Sequence, residues 1–181
     1  MRIAFADPPY LGQGRKHYAA HHDQASLWDD PESHQSLIAT LESDYDGYAL
    51  CASSTSLRTL LAMFADPPRI ASWVKPFAAY KRSVRIAYTW EPVLFREARR
   101  SSKDGALVNR DHLSEPITMK KGLVGAKPER FCRWVLDLVG WVPGDQVDDL
   151  FPGTGVMGRI VAAADASPLI LRERSGWTET R

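Results

Sequence analysis

Two short stretches of this 181-residue chain combine residue types that could do chemistry. Asp7-Pro8-Pro9-Tyr10 follows one apolar run, and Asp149-Leu150-Phe151-Pro152-Gly153-Thr154-Gly155 follows another near the far end. In the first, a carboxylate stands beside two prolines, whose fixed φ aims the Pro8 carbonyl rigidly. Two such acceptors suit the exocyclic amine of adenine or cytosine. Its lone pair is delocalised into the ring, and acceptors on both N–H bonds draw the nitrogen toward the tetrahedral shape that attack on a methyl group needs. Tyr10 offers an aromatic face for a base swung out of its duplex. The plain alternative is a surface turn, since Asp and Pro are common turn residues. In the second stretch, Gly153 and Gly155 let the backbone turn tightly and approach a ligand at a helix N-terminus.

The elements that must position these stretches follow from periodicity. Arg2 to Ala6 reads as a short buried strand. Gly12, Gly14, Arg15, Lys16 and His17 read as a mobile polar loop. Asp30-Pro31-Glu32 is a helix start, with Asp as cap and Pro at the first helical position. Leu37, Ile38 and Leu41 give that helix an apolar stripe. Tyr48 to Ala52 is strand-like, and Ser54 or Thr55 can cap a helix that buries Leu57, Leu60, Leu61 and Phe64. Arg69 to Val74 is a strand. Val84 to Phe95 holds one long strand or a pair, with Ile86, Tyr88 and Trp90 alternating. Residues 96–125 lose all periodicity and read as a basic loop. Lys127-Pro128-Glu129 starts the clearest helix, which buries Phe131, Trp134, Val135, Leu138 and Val139 and stops at Gly140. Val147 to Phe151 is a strand, Gly155 to Ala164 a helix and Leu169 to Leu171 a strand. Alternation of this kind implies one α/β domain over 1–181 with a mostly parallel sheet flanked by helices. Open sheets of that class bind ligands at the carboxyl ends of their strands, where both motifs fall. Phe5-Ala6-Asp7-Pro8-Pro9 recurs as Phe64-Ala65-Asp66-Pro67-Pro68, but between a helix and a strand, which makes the second copy a turn.

In motif content and order the chain resembles the S-adenosylmethionine-dependent amino-methyltransferases that modify adenine N6 or cytosine N4 in DNA. That family carries Asp-Pro-Pro-Tyr at the end of a central strand, matched by Asp7, Pro8, Pro9 and Tyr10. Its donor loop, Asp-x-Phe-x-Gly-x-Gly, is matched by Asp149, Phe151, Gly153 and Gly155, with Thr154 between the glycines. The catalytic motif precedes the donor loop, as in the permuted β class. The resemblance implies a Rossmann-like methyltransferase fold, S-adenosylmethionine as methyl donor and DNA as partner. It implies methylation of adenine N6, with cytosine N4 as the alternative, because a leading serine is commoner for cytosine. Phe151 then lines the donor pocket, Asp149 sits near the methionine amino group, and Lys127-Pro128 resembles the motif that closes over the methionine end. An acidic residue ending the next strand takes the ribose hydroxyls, and Glu173 is the candidate; Arg172 and Arg174 flank it, so a plain surface charge competes with that role. The recognition segment is short and little chain follows Glu173. The sheet can therefore lack an edge strand, and a second subunit can be needed to grip DNA. A silent methyltransferase-like module that binds nucleic acid without turnover is the rival from another class.

Composition limits the remaining possibilities. Hydrophobic content of 44% and charged content of 25% are ordinary for a globular domain. No charged-then-apolar leader and no bilayer-length apolar run occur, and two cysteines make no disulfide framework, so a cytoplasmic protein is expected. Cys51 and Cys132 lie in core-like segments, which argues for packing over a thiolate nucleophile. His17, His21 and His22 have no second cluster to complete a metal site, so no metal is expected. The net charge of +1 conceals an uneven spread: −5 over residues 1–68, +7 over 69–121 and −1 over 122–181. The cationic middle suits a polyanion, although a solvated face is the ordinary reading of a charge cluster. Arg15, Lys16, Lys75, Lys81, Arg82, Arg99, Arg100, Lys103, Arg110, Lys120 and Lys121 are the candidate phosphate contacts. Trp73 and Trp90 are expected in the core.

Overall fold

The computed structural model describes residues 1–18, 23–77, 84–99, 108–118 and 126–166. Among them are six strands: β1 (Arg2–Ala6), β2 (Gly47–Cys51), β3 (Arg69–Val74), β4 (Trp90–Arg96), β5 (His112–Ser114) and β6 (Gln146–Asp149). The helices are α1 (Gly14–Tyr18), α2 (Pro31–Asp44), α3 (Leu57–Leu61), α4 (Glu129–Leu138) and α5 (Val156–Ala166). One sheet runs β5-β3-β4-β2-β1-β6. β1 pairs in parallel with β2 and with β6, and β3 with β5. β4 alone runs against its neighbours β2 and β3. The sheet is mostly parallel, as expected, and becomes mixed only through the one reversed strand.

Both faces of the central strands are buried, which is why β1 and β2 read as unbroken apolar runs rather than alternating ones. Ile3, Phe5, Ala49 and Cys51 face one layer of core with Phe131, Val135, Met157 and Ile160 of α4 and α5. Ala4, Ala6, Tyr48 and Leu50 face the other with Ile38 and Leu41 of α2 and Leu60 of α3. Asp30 caps α2 as expected, its Oδ1 accepting the Glu32 N–H at 3.0 Å.

Several local expectations change. The polar loop after Tyr10 contains α1, because Asp29 accepts from the N–H groups of Gly14 and Arg15 at 2.6 and 3.0 Å. Ser56, not Ser54 or Thr55, stands at the cap of α3, with no side-chain cap bond. β4 begins only at Trp90, and Ile86, Tyr88 and Trp90 are 73%, 54% and 37% exposed, so their alternation marks no buried face. The region read as loop contains β5, an edge strand whose Leu113 is buried. Trp73 is buried as expected, its indole N–H donating to the Glu115 carbonyl. The second Asp-Pro-Pro lies between α3 and β3, as a connecting turn. The expected strand Leu169–Leu171 lies outside the described residues.

Asp145, just before β6, ties this edge of the fold together. It receives two guanidinium bonds from Arg99, at 2.7 and 2.8 Å, and the Val142 N–H at 2.9 Å. Burial alone would raise its pKa, but Arg99 and the Val142 N–H overcome that and hold it at about 2. A depressed carboxylate pKa adds stability that is present above the ordinary carboxylate range and lost as pH falls through the folded value. Asp145→Asn is expected to cost about 2 kcal/mol at neutral pH. Urea melts over a pH series should show that deficit shrinking toward about pH 2; a gap that stays constant with pH would contradict this role.

Candidate active site

β1 and β6 lie side by side with Phe5 opposite Asp149, and the Leu150 N–H donates to the Phe5 carbonyl at 2.9 Å. Asp7-Pro8-Pro9-Tyr10 and the glycine loop thus leave adjacent parallel strands at the same carboxyl edge. The loop needs its glycines: Gly153 and Gly155 have φ of 46° and 68°, a region that side chains with a Cβ rarely adopt. The turn is closed by the Gly155 N–H on the Pro152 carbonyl, and α5 begins immediately after it. Pro152, Gly153 and Thr154 are exposed, whereas Phe151 is half-buried with its ring edge-on to Trp28 at 4.9 Å.

Asp7 is not a surface carboxylate. Its side chain is 20% exposed, and its Oδ1 lies 2.8 Å from the Lys127 ammonium. Lys127, only 8% exposed, also lies 3.6 Å from Glu91 and donates to the Tyr10 hydroxyl at 3.1 Å. Tyr10 donates in turn to Glu91 Oε2 at 2.7 Å, and Lys75 donates to Glu91 Oε1 at 2.7 Å. The rings of Tyr10, Trp73 and Phe131 stand 5.4, 5.7 and 5.9 Å from the Lys127 nitrogen. Two lysines and two carboxylates form a charge-balanced cluster, the condition under which charges can be buried at tolerable cost.

Burial sets the titration of this cluster. It raises Asp7 above the usual carboxylate range, and the Lys127 charge opposes the rise. Burial also pushes up Glu91, but Lys127 and Lys75 outweigh it and the net shift is downward. Burial would lower Lys127, yet Asp7, Tyr10 and the other groups around it carry it well above the ordinary lysine value. Tyr10 is pushed well above its normal range by burial. Asp149 is raised by burial and secondarily by the charge of Asp7, which puts the two motif carboxylates within electrostatic reach. Its Oδ1 is buried with no hydrogen-bond partner.

Other candidates fall differently. Lys127 was expected at a donor carboxylate, but its ammonium is held by Asp7 and Glu91. Lys75 was expected on a phosphate-tracking face, but it is buried against Glu91. Arg99 grips Asp145 and the Gly140 carbonyl, so its guanidinium is committed within the fold. Arg15, Lys16 and Arg110 are exposed, and Pro128 stands at the N-cap of α4. Lys81, Arg82, Arg100, Lys103, Lys120, Lys121, His21, His22 and Glu173 lie outside the described residues. Glu91 was missed altogether. Its one signal was a carboxylate preceding the apolar run Pro92 to Phe95, an odd residue for a strand with buried neighbours. Trp28 beside Phe151 carried no signal at all. Among the described residues no group of three or more His, Cys, Asp or Glu is placed to hold a metal, and no helix is long and apolar enough to cross a membrane.

The sequence matches no protein-family model and no curated protein. Solved structures do resemble it. M1.HpyAVI, in complex with SAM, superposes with a TM-score of 0.55 at 15% identity, covering 90% of this chain and 78% of that one. TTHA0409 of Thermus thermophilus, named a putative DNA modification methylase, gives 0.54 at 14% identity, covering 87% and 74%. At such identities the likeness is one of fold. The chain has the Rossmann-like α/β methyltransferase fold, a six-stranded mixed sheet between two helical layers.

The two cysteines offer a direct check on the site's burial. Burial pushes Cys51 well above the normal thiol range, with the Asp7 charge adding to it, and pushes Cys132 up to about 12. Neither thiol should react with Ellman's reagent in the folded protein at mild pH, and both should react in denaturant. Rapid native labelling of Cys51 would show the Asp7 cluster to be open to water.

Proposed function

We propose that the protein transfers a methyl group from S-adenosylmethionine to the exocyclic amino group of adenine, N6, in DNA. The observation that carries this is the pairing of Phe5 with Asp149, which sets an aimed carboxylate and a glycine loop on neighbouring strand ends. The two neighbours of like fold add support, one being a SAM complex and the other named a putative DNA modification methylase.

The residues at the loop fit the donor. Gly153 and Gly155 give a turn without side chains, Thr154 and Pro152 are exposed beside them, and the orphaned Oδ1 of Asp149 suits a ligand's ammonium group. Phe151 supplies an apolar wall, Pro128 opens α4 nearby, and Glu173 is the proposed ribose partner. When bound, S-adenosylmethionine supplies an electrophilic methyl group on a sulfonium. The protein's task is then to prepare the acceptor. Asp7 accepts one N–H of the amino group and the Pro8 carbonyl the other, which localises the lone pair on nitrogen. Pro9 holds the turn rigid, and the Tyr10 ring stacks on the extruded base. Arg15, Lys16 and the cations of the middle segment meet the phosphates.

The test is incubation of the protein with DNA and labelled S-adenosylmethionine, followed by mass spectrometry of the nucleosides. N6-methyladenine is expected. N4-methylcytosine would keep the chemistry and change the base, and no methylated nucleoside despite calorimetric donor binding would favour the silent module. Asp7→Ala should lower product formation by about 1000-fold, by analogy with loss of a preorganised polar partner, while donor binding persists. Because Asp7 must be ionised to accept and burial raises it, the rate should fall on the acid side at a higher pH than an ordinary aspartate dictates.

A further inference from the structure

The charged groups behind Asp7 come from segments far apart in the chain. Lys127 precedes α4, Glu91 lies in β4, and Lys75 follows β3. The Tyr10 hydroxyl is used twice, donating to Glu91 and accepting from Lys127, so the far end of the ring is anchored at the oxygen. Lys127 touches Asp7 through Oδ1 and is walled by three aromatic rings. Lys75 occupies one oxygen of Glu91 and leaves the other to Tyr10 and Lys127. We propose that Lys127 and Glu91 are positioning residues, Lys127 fixing the carboxylate of Asp7 and Glu91 fixing both Lys127 and the ring of Tyr10. This deepens the methyltransferase reading and rests on it. A base entering the site then meets an acceptor and an aromatic ring that are both already anchored, so less is lost in ordering them at the moment of reaction.

The network makes a prediction of opposite signs. Facing Asp7 are the Lys127 cation, the Glu91 and Asp149 anions, the Cys51 thiol, and the neutral Tyr10 and Cys132 groups. Removing the Glu91 charge removes a repulsion, and removing the Lys127 charge removes the attraction. The titration of Asp7 is followed by NMR in the full chain labelled with 13C-aspartate, the signal being assigned through Asp7→Asn. Glu91→Gln should move that titration to lower pH and Lys127→Met to higher pH, with Lys127→Arg returning it toward wild type. In DNA methylation assays the acid limb of kcat/KM should move in the same two directions. Lys127→Met should lose about 100-fold in kcat, the scale of a misplaced reacting group, with the donor KM unchanged. Shifts of the same sign, or an Asp7 titration unmoved by either variant, would overturn the proposal. If Lys127→Met does not fold, Glu91→Gln decides alone: a downward shift supports the network, and an upward or absent shift overturns it. If the opposite shifts are found in a wild-type background that methylates no DNA, the coupling stands and the methyltransferase reading falls.

Discussion

Four backbone registers between β1 and β6, from Arg2 with Gln146 to Phe5 with Asp149, join the first strand of the chain to a strand near its far end. Everything proposed for the site depends on that ladder. A one-residue slip would turn Ile3 and Phe5 out of one core layer and into the other. The slip is resisted because both faces of β1 are buried against different helices, so neither set of side chains can change places without misfit. Asp145 and Arg99 lock the approach to β6 from outside the sheet. The carboxyl ends of the two strands are thereby aligned as a consequence of packing far from the site itself.

The second constraint is electrostatic. Burying a lone lysine or carboxylate costs several kcal/mol in a protein interior. Asp7, Glu91, Lys75 and Lys127 avoid this by cancelling one another, with Tyr10 bridging by hydrogen bonds. Such a cluster adds little net stability compared with apolar packing, so its presence at a strand edge calls for a reason beyond folding. The positioning of Asp7 and Tyr10 proposed above would supply it. The same water-poor surroundings that raise Asp7 also strengthen every interaction it makes.

Much of the architecture was legible because it rests on local rules. The Asp30 cap, the apolar face of α4, the start of α5 and the turn character of the second Asp-Pro-Pro all follow from residue type and spacing. The misses have physical causes. Ile86, Tyr88 and Trp90 alternate as strand residues do, but they have no layer to pack on and are exposed. β5 is three residues long, too short to show a period, and exists through its pairing with β3. α1 depends on Asp29, a cap from a different segment.

Residue order alone determined the two motifs, because proline rings and glycine φ angles act through covalent geometry wherever they stand. It also determined that each motif ends a strand, since apolar runs are local. Which partners the charges take was decided only by tertiary structure. Lys75 and Arg99 read in the sequence as phosphate contacts and Lys127 as a donor contact, and each is instead paired with carboxylates inside the fold. Tyr10 reaches Glu91 across 81 positions and Lys127 across 117, contacts that no periodicity encodes. They arise because desolvation makes an unpaired buried charge costly, and only the folded sheet brings the opposite charges within reach.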